Sequence, residues 1–149
     1  MENNLRDIAI KPIGTVRSVI KERGRHDTGD AIAEIILAPE YAEGLDNLDD
    51  FSHIIVIFYL HRSRKPAPMK VYPRFKSGPG PVGVFASRSP DRPNALGKTT
   101  VRLIERRENI LKVQGLDALD GTPVIDIKPY IPDLDSVKDA RVPRWMTKS

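Results

Sequence analysis

Thirteen prolines and ten glycines punctuate this chain so closely that no segment keeps amphipathic 3.6-residue periodicity for more than about two turns. Long helices are thereby excluded, and short extended stretches bounded by turns remain. The apolar stretches at 8–16, 33–37, 53–60, 83–87, 100–104, 110–116 and 123–128 read as strands. Residues 54–60, Ile-Ile-Val-Ile-Phe-Tyr-Leu, are apolar on both faces, which predicts a central strand with cover on each side. One helix signal stands at 39–48, with Pro39 in a first-turn position and Glu40 near the positive end of the dipole. Seven short strands without alternating helices predict a mostly β fold, a small closed or nearly closed barrel with one or two short helices.

At 149 residues the chain is sized for one domain, expected to span 1–149 with its core at about 8–132 and a polar tail at 133–149. Pro143, Arg144 and Trp145 form the tail's one anchor-like cluster. There is no cysteine, which excludes disulfides, thiolate metal sites, iron-sulfur clusters and cysteine nucleophiles. The longest apolar run, 54–60, falls far short of the ~20 residues that cross a bilayer, and the N-terminus lacks a signal-peptide core. The expectation is a soluble, cytoplasmic protein.

Charge is segregated. Between His61 and Pro90 there is no acid, yet there are seven bases: Arg62, Arg64, Lys65, Lys70, Arg74, Lys76 and Arg88. The rest of the chain holds the other 17 of 24 Lys and Arg against all 20 acids. Such a stretch is either a phosphate-facing surface or a solvated loop. Residues 62–81 also hold five prolines, so they should run extended and loop-like, longer than an ordinary connection. Within them Tyr72 and Phe75 alternate with Lys70, Arg74 and Lys76, the mixture of stacking faces and cations that single-stranded nucleic acid binding uses.

Gly78-Pro79-Gly80-Pro81-Val82-Gly83 has the letters of a dinucleotide fingerprint but opens no helix, and its prolines remove two donors a pyrophosphate would need. A Rossmann fold is not expected. His53 and His61, on one extended strand, would lie roughly 27 Å apart and cannot share a metal. No metal site is expected.

Three segments are more specific. In the first, Phe51-Ser52-His53 leads through the apolar strand to His61 and Arg62, which the strand delivers to a rim. In the second, 83–97, Arg88 and Arg92 flank a proline-stiffened turn and either aim their guanidinium forks at an anion or pin the turn. In the third, 115–130, Asp120-Gly121 marks a tight turn that the Asp120 side chain can itself stabilise. Asp126 and Lys128 alternate with Ile125 and Ile127, so their side chains should line a cavity wall or a solvated face.

With these segments the sequence resembles the TrmO, or TsaA-like, family of tRNA adenine N6-methyltransferases, from about Lys11 to Pro132. The resemblance rests on Phe51-Ser52-His53, His61-Arg62, the run from Arg88-Ser89-Pro90-Asp91-Arg92-Pro93-Asn94 to Gly97, and the run from Asp120-Gly121-Thr122-Pro123 to Tyr130. It implies a single-domain barrel, commonly a homodimer, that binds S-adenosyl-L-methionine without a Rossmann fold. The implied reaction is methylation of N6 on the threonylcarbamoyladenosine just 3′ of the tRNA anticodon. Implied cofactor contacts are His61, Arg62, Arg88 and Ala118-Leu119-Asp120-Gly121. Two further contact positions depart from the family: Lys98 stands where an apolar residue is common, and Gly24-Arg25-His26 is the nearest match to a proline-arginine-glutamine segment.

Asp117 and Asp126 are the catalytic candidates, with Asp120 and His61 also able in principle to serve as a general base. Lys70, Tyr72, Arg74, Phe75 and Lys76 are the expected RNA contacts, toward a tRNA anticodon arm. Two other functions fit the same residues: a non-catalytic RNA-binding module, or a methyltransferase with a small-molecule acceptor.

Overall fold

A computed structural model describes residues 4–23, 29–73 and 78–146. Six antiparallel strands close into a barrel: β1 (Gly14–Arg17), β2 (Ile32–Leu37), β3 (His53–Tyr59), β6 (Leu96–Arg107), β7 (Ile110–Gln114) and β8 (Pro123–Pro129). Around the barrel they run β1-β2-β7-β6-β3-β8, and β1 pairs back onto β8. Two further strands, β4 (Lys70–Val71) and β5 (Val82–Gly83), form a separate ribbon. The ring closes over a short seam, Gly14 and Thr15 of β1 against Val124 and Pro123 of β8.

Alternation fills the core. In β3, Ile54, Val56 and Phe58 point inward and join Ile35, Leu37, Val101, Leu103, Leu111, Val113 and Val124. The alternate residue Ile55, on the outer face, is only 7% exposed, so the strand is covered on both sides as its composition predicts. Pro39–Leu45 and Leu48–Asp50 are 3-10 turns, interrupted at Asn47, whose φ of 69° breaks the expected helix. Leu45 and Leu48 plug one end of the core.

Three of the expected strands change most, and a fourth carries a bulge. The 8–16 strand shrinks to β1; Pro12 cannot donate to a ladder, and Ile8 and Ile10 remain exposed. The 83–87 strand is the two-residue β5 followed by the 3-10 turn Val84–Ala86. The 100–104 strand extends to Leu96–Arg107, because its polar ends pair fully with β3 and β7. In β8 a bulge pairs Ile57 with Asp126 but Phe58 with Val124. The bulge leaves Ile125 unpaired; Val124 lies in the core and Ile127 packs against it, while Asp126 shares the outer face with Ile57. Among the described residues the one α-helical segment is Pro132–Asp135, and no helix is long and apolar enough to cross a membrane.

Candidate active site

One end of the barrel opens into a cleft of about 760 Å³. The exit of β3 contributes Phe58, Leu60, His61 and Arg62, the 84–95 loop contributes Arg88, Arg92 and Asn94, and β6 contributes its first residues, 96–99. The opposite wall is the loop between β7 and β8, with Asp117, Ala118 and Leu119, and Ile20 and Arg23 close the side. Gly97 is required here by contact: a Cβ would stand 2.4 Å from Cε2 of Phe58, so only glycine lets that ring lie against β6.

Short polar links set the 84–95 loop. The Ser87 hydroxyl donates to the Val84 carbonyl at 2.7 Å, and the Asp91 N–H donates to Ser89 Oγ at 3.2 Å. Arg92 Nη1 donates to the carbonyls of Ser87 and Ser89 at 3.0 and 3.1 Å, so Arg92 pins the turn through carbonyls and not through an acid. Arg88, by contrast, has no protein partner among the described residues and faces the cleft free.

Asp91 is 2% exposed and ties three segments together. Its Oδ1 accepts from the Arg64 N–H at 2.6 Å, and its Oδ2 accepts from Arg64 Nε at 2.9 Å and Arg23 Nη2 at 3.2 Å. Burial raises the Asp91 pKa, but the donors of Arg64, backbone and side chain, together with Arg23, reverse this and hold it below the ordinary carboxylate value. The linkage continues reciprocally: Arg23 Nη1 donates to the Arg62 carbonyl at 3.1 Å, and Arg62 Nη1 donates to the Lys21 carbonyl at 2.8 Å.

Asp120 fastens the other side of the same segment. It accepts from the Ser18 N–H at 2.9 Å and from Lys21 Nζ at 2.8 Å, and Lys21 above all, then Ser18, lowers its pKa. Gly121, at φ 82°, supplies the left-handed turn that lets its own N–H reach the Val16 carbonyl at 2.8 Å. Both Asp120 oxygens are therefore engaged, and neither Asp120 nor Gly121 lines the cleft.

The geometry gathers His61, Arg62, Arg88, Lys98, Asp117, Ala118 and Leu119 in one cleft. Asp126 lies outside the cleft lining: alternation with Ile127 puts it on the outer face, its Oδ1 accepts from the Ile127 N–H, and its Oδ2 pairs with Lys128 at 3.1 Å. Lys70 opens the ribbon and Tyr72 follows its first strand, and both are exposed away from the cleft lining. Gly24, Arg25, His26, Arg74, Phe75 and Lys76 lie outside the described residues. Sequence reasoning missed Ile20, Arg23 and the Asp91 linkage; the Ser-Pro-Asp-Arg-Pro-Asn string signals Asp91, but nothing in the sequence pairs it with Arg23.

The cleft is basic. Arg23, Arg62, Arg88, Arg92 and Lys98 line it against Asp117 as the one acid among the described residues. Apolar walls with a few convergent charged groups suit a small organic ligand that carries both charge signs.

Residues 23–136 match the family model of the tRNA-methyltransferase O N-terminal domain, which is most of the chain. The chain belongs to the tRNA-methyltransferase O family. It is 46% identical over 137 residues to a probable S-adenosyl-L-methionine-binding protein of Methanothermobacter thermautotrophicus, covering 88% of this chain and 96% of that one. It is 36% identical over 141 residues to the tRNA (adenine(37)-N6)-methyltransferase of Escherichia coli, covering 86% of this chain but 60% of that enzyme. The crystal structure of TrmO from Pseudomonas aeruginosa superposes with a TM-score of 0.74 at 34% identity, over 91% of this chain and 62% of that one. The chain thus spans less than two thirds of these last two relatives.

Proposed function

We propose that this chain is a methyltransferase that binds S-adenosyl-L-methionine in the barrel-end cleft and methylates N6 of an adenosine in tRNA, the threonylcarbamoyladenosine beside the anticodon. The observation that carries this reading is the cleft itself, in a barrel of this family: apolar walls from Phe58, Leu60 and Leu119, with Arg88 and Asp117 left without protein partners among the described residues. Arg88 suits the carboxylate of the cofactor's amino acid end, the apolar walls suit its nucleoside, and Asp117 is left for the acceptor. His61, Arg62, Ala118 and Leu119 complete the same lining. When bound, the cofactor supplies an activated methyl group and departs as a neutral thioether.

The protein's part is positioning and proton handling. Walls fixed by the Asp91 and Asp120 linkages hold the acceptor nitrogen on one approach line, and pre-paid orientation of this kind lowers the barrier substantially. As the new nitrogen–carbon bond forms, the N6 proton must leave. Asp117, the cleft's unpaired carboxylate, accepts it. The threonylcarbamoyl group favours that transfer by making the N6 proton more acidic.

The same reading carries a cytoplasmic location and a homodimer. Met69 and Phe85, exposed beside the ribbon, give an apolar surface suited to a partner. Light scattering at micromolar concentration checks the dimer; a 16.7 kDa particle would contradict it.

The decisive test is mass spectrometry of tRNA nucleosides after incubation with the cofactor. Threonylcarbamoyladenosine heavier by one methyl group is expected. Cofactor binding without any methylated nucleoside would leave only a binding module, and methylation of a small molecule alone would change the acceptor.

A further inference from the structure

We propose that Lys98 holds a backbone phosphate of the acceptor RNA at the rim of the cleft; this rests on the tRNA-methyltransferase reading. The register of the barrel isolates this lysine. Lys98 pairs with Ile57 on β3, whose other neighbour is Asp126 on β8, so all three share the outer face. Two strand spacings, roughly 9.6 Å, separate Lys98 from Asp126. Asp126 is already paired with Lys128, and Lys98 has no protein partner among the described residues. Yet Lys98 lines the cleft, so the cleft runs over the rim of β6 onto the outer wall at this residue.

Charge then decides what the rim takes. Arg23 shares the single charge of Asp91 with Arg64, whereas Arg62 and Arg92 donate to carbonyls and keep their full charge. A bound S-adenosylmethionine engages Arg88 with its carboxylate, and its ammonium and sulfonium together outweigh that carboxylate by one positive charge. The filled cleft is therefore more cationic than the empty one. An anion on the second substrate is drawn to that excess, and the anion RNA presents at every residue is a phosphodiester. A lysine is suited to it as a mobile point charge needing no bidentate geometry. Lys98 is then a phosphate contact, and not a side-chain contact of the cofactor.

The test compares wild type, Lys98→Leu, Lys98→Gln and Lys98→Arg. Fluorescence anisotropy with a labelled anticodon stem-loop RNA is measured across a salt series, and calorimetry with S-adenosylmethionine is run without RNA. Lys98→Leu and Lys98→Gln should weaken RNA binding several-fold and lower the slope of log affinity against log salt by about 0.7 to 0.9, while Lys98→Arg keeps the slope. Cofactor affinity should stay within about twofold in all three. Loss of cofactor affinity with an unchanged RNA slope would make Lys98 a cofactor contact and overturn the proposal, as would neutral variants with wild-type RNA affinity and slope. Wild type that fails to bind the stem-loop overturns it too. Methyl transfer by wild type is read separately: a protein that binds cofactor and RNA with the lysine-dependent slope but transfers no methyl leaves the phosphate contact standing and removes the enzymatic reading.

Discussion

Replacing Asp91 with asparagine separates the charge of the buried linkage from its shape. The carboxylate accepts three hydrogen bonds, two of them from guanidiniums, and its side chain is 3% exposed. Removing one member of a buried ion pair costs about 3 to 5 kcal/mol when the partner charge stays buried. Here the partners can escape: the Arg64 side chain is 77% exposed and that of Arg23 is 39% exposed, so both rehydrate. The asparagine side chain also keeps one oxygen for the Arg64 N–H. The expected loss therefore lies at or below the lower bound, about 2 to 3 kcal/mol, a fall in Tm of roughly 4 to 12 °C for a domain of this size. Thermal unfolding followed by circular dichroism between pH 7 and pH 3 tests the cause. Asp91 has a folded pKa depressed below its unfolded value, so its contribution is complete above the unfolded pKa of about 3.9 and is lost as pH falls through the folded one. The difference in Tm between wild type and Asp91→Asn should narrow below about pH 4, because the asparagine variant has no such group to protonate. Asp120 titrates in both proteins and cancels. A difference that stays constant to pH 3, or an asparagine variant as stable as wild type, would refute the role given to the charge.

Gly97→Ala should cost about 1 to 3 kcal/mol and weaken cofactor binding together with stability, because its Cβ displaces the Phe58 ring that lines the cleft; chemical denaturation and calorimetry read the two effects. Asp117→Asn should lower turnover by about a hundredfold or more with little change in Tm, as expected for an unpartnered general base in a single-turnover methyl-transfer assay. Asp126→Asn should leave turnover within about twofold, since its carboxylate is spent outside the cleft on Lys128 and the Ile127 N–H. Tyr72→Ala should weaken RNA binding by about 1 to 3 kcal/mol with an unchanged salt slope if a base stacks on this ring, which is 78% exposed.

Legibility followed range. The inward set of β3 alternates in the sequence as it does in the barrel, so the central strand could be read directly from Ile54 to Tyr59. His61 and Arg62 follow from it, because a strand of known end delivers the next residues to the rim. Asp126 stands off the apolar face as its alternation with Ile127 implies, but alternation does not say whether that outer face lines a cavity or meets solvent. What alternation misses is the bulge at Ile125, which brings Val124 to the same inward face as Ile127, and neither Ile125 nor its immediate neighbours is a glycine or proline that announces it. The start of β6 was missed for another reason: Gly97 and Lys98 lack strand character, and their pairing with Phe58 and Ile57 is imposed by the partner strand.

The side wall of the cleft was illegible for a different cause. Residues 18–23 form no element, have no periodicity, and are held by bonds to residues 62, 91 and 120. Each of those bonds joins a side chain to a distant group, and no local pattern encodes such a partner. Yet this segment makes the barrel end a cleft and not an open rim. It is pinned from one side by Asp91 through Arg23 and from the other by Asp120 through Ser18 and Lys21. Both fasteners are carboxylates with depressed pKa values, so the wall and the barrel respond differently to acid: protonating Asp91 and Asp120 releases the wall, while the apolar core, which holds no carboxylate, stays packed. Cofactor affinity should therefore fall at a higher pH than the barrel's own unfolding as the solution is acidified. Calorimetric titration with S-adenosylmethionine beside far-ultraviolet circular dichroism, in the same buffers from about pH 6 to pH 3, spans the carboxylate range and measures that order. Simultaneous loss of both signals would mean that the wall is part of the barrel's cooperative unit rather than a segment fastened onto it.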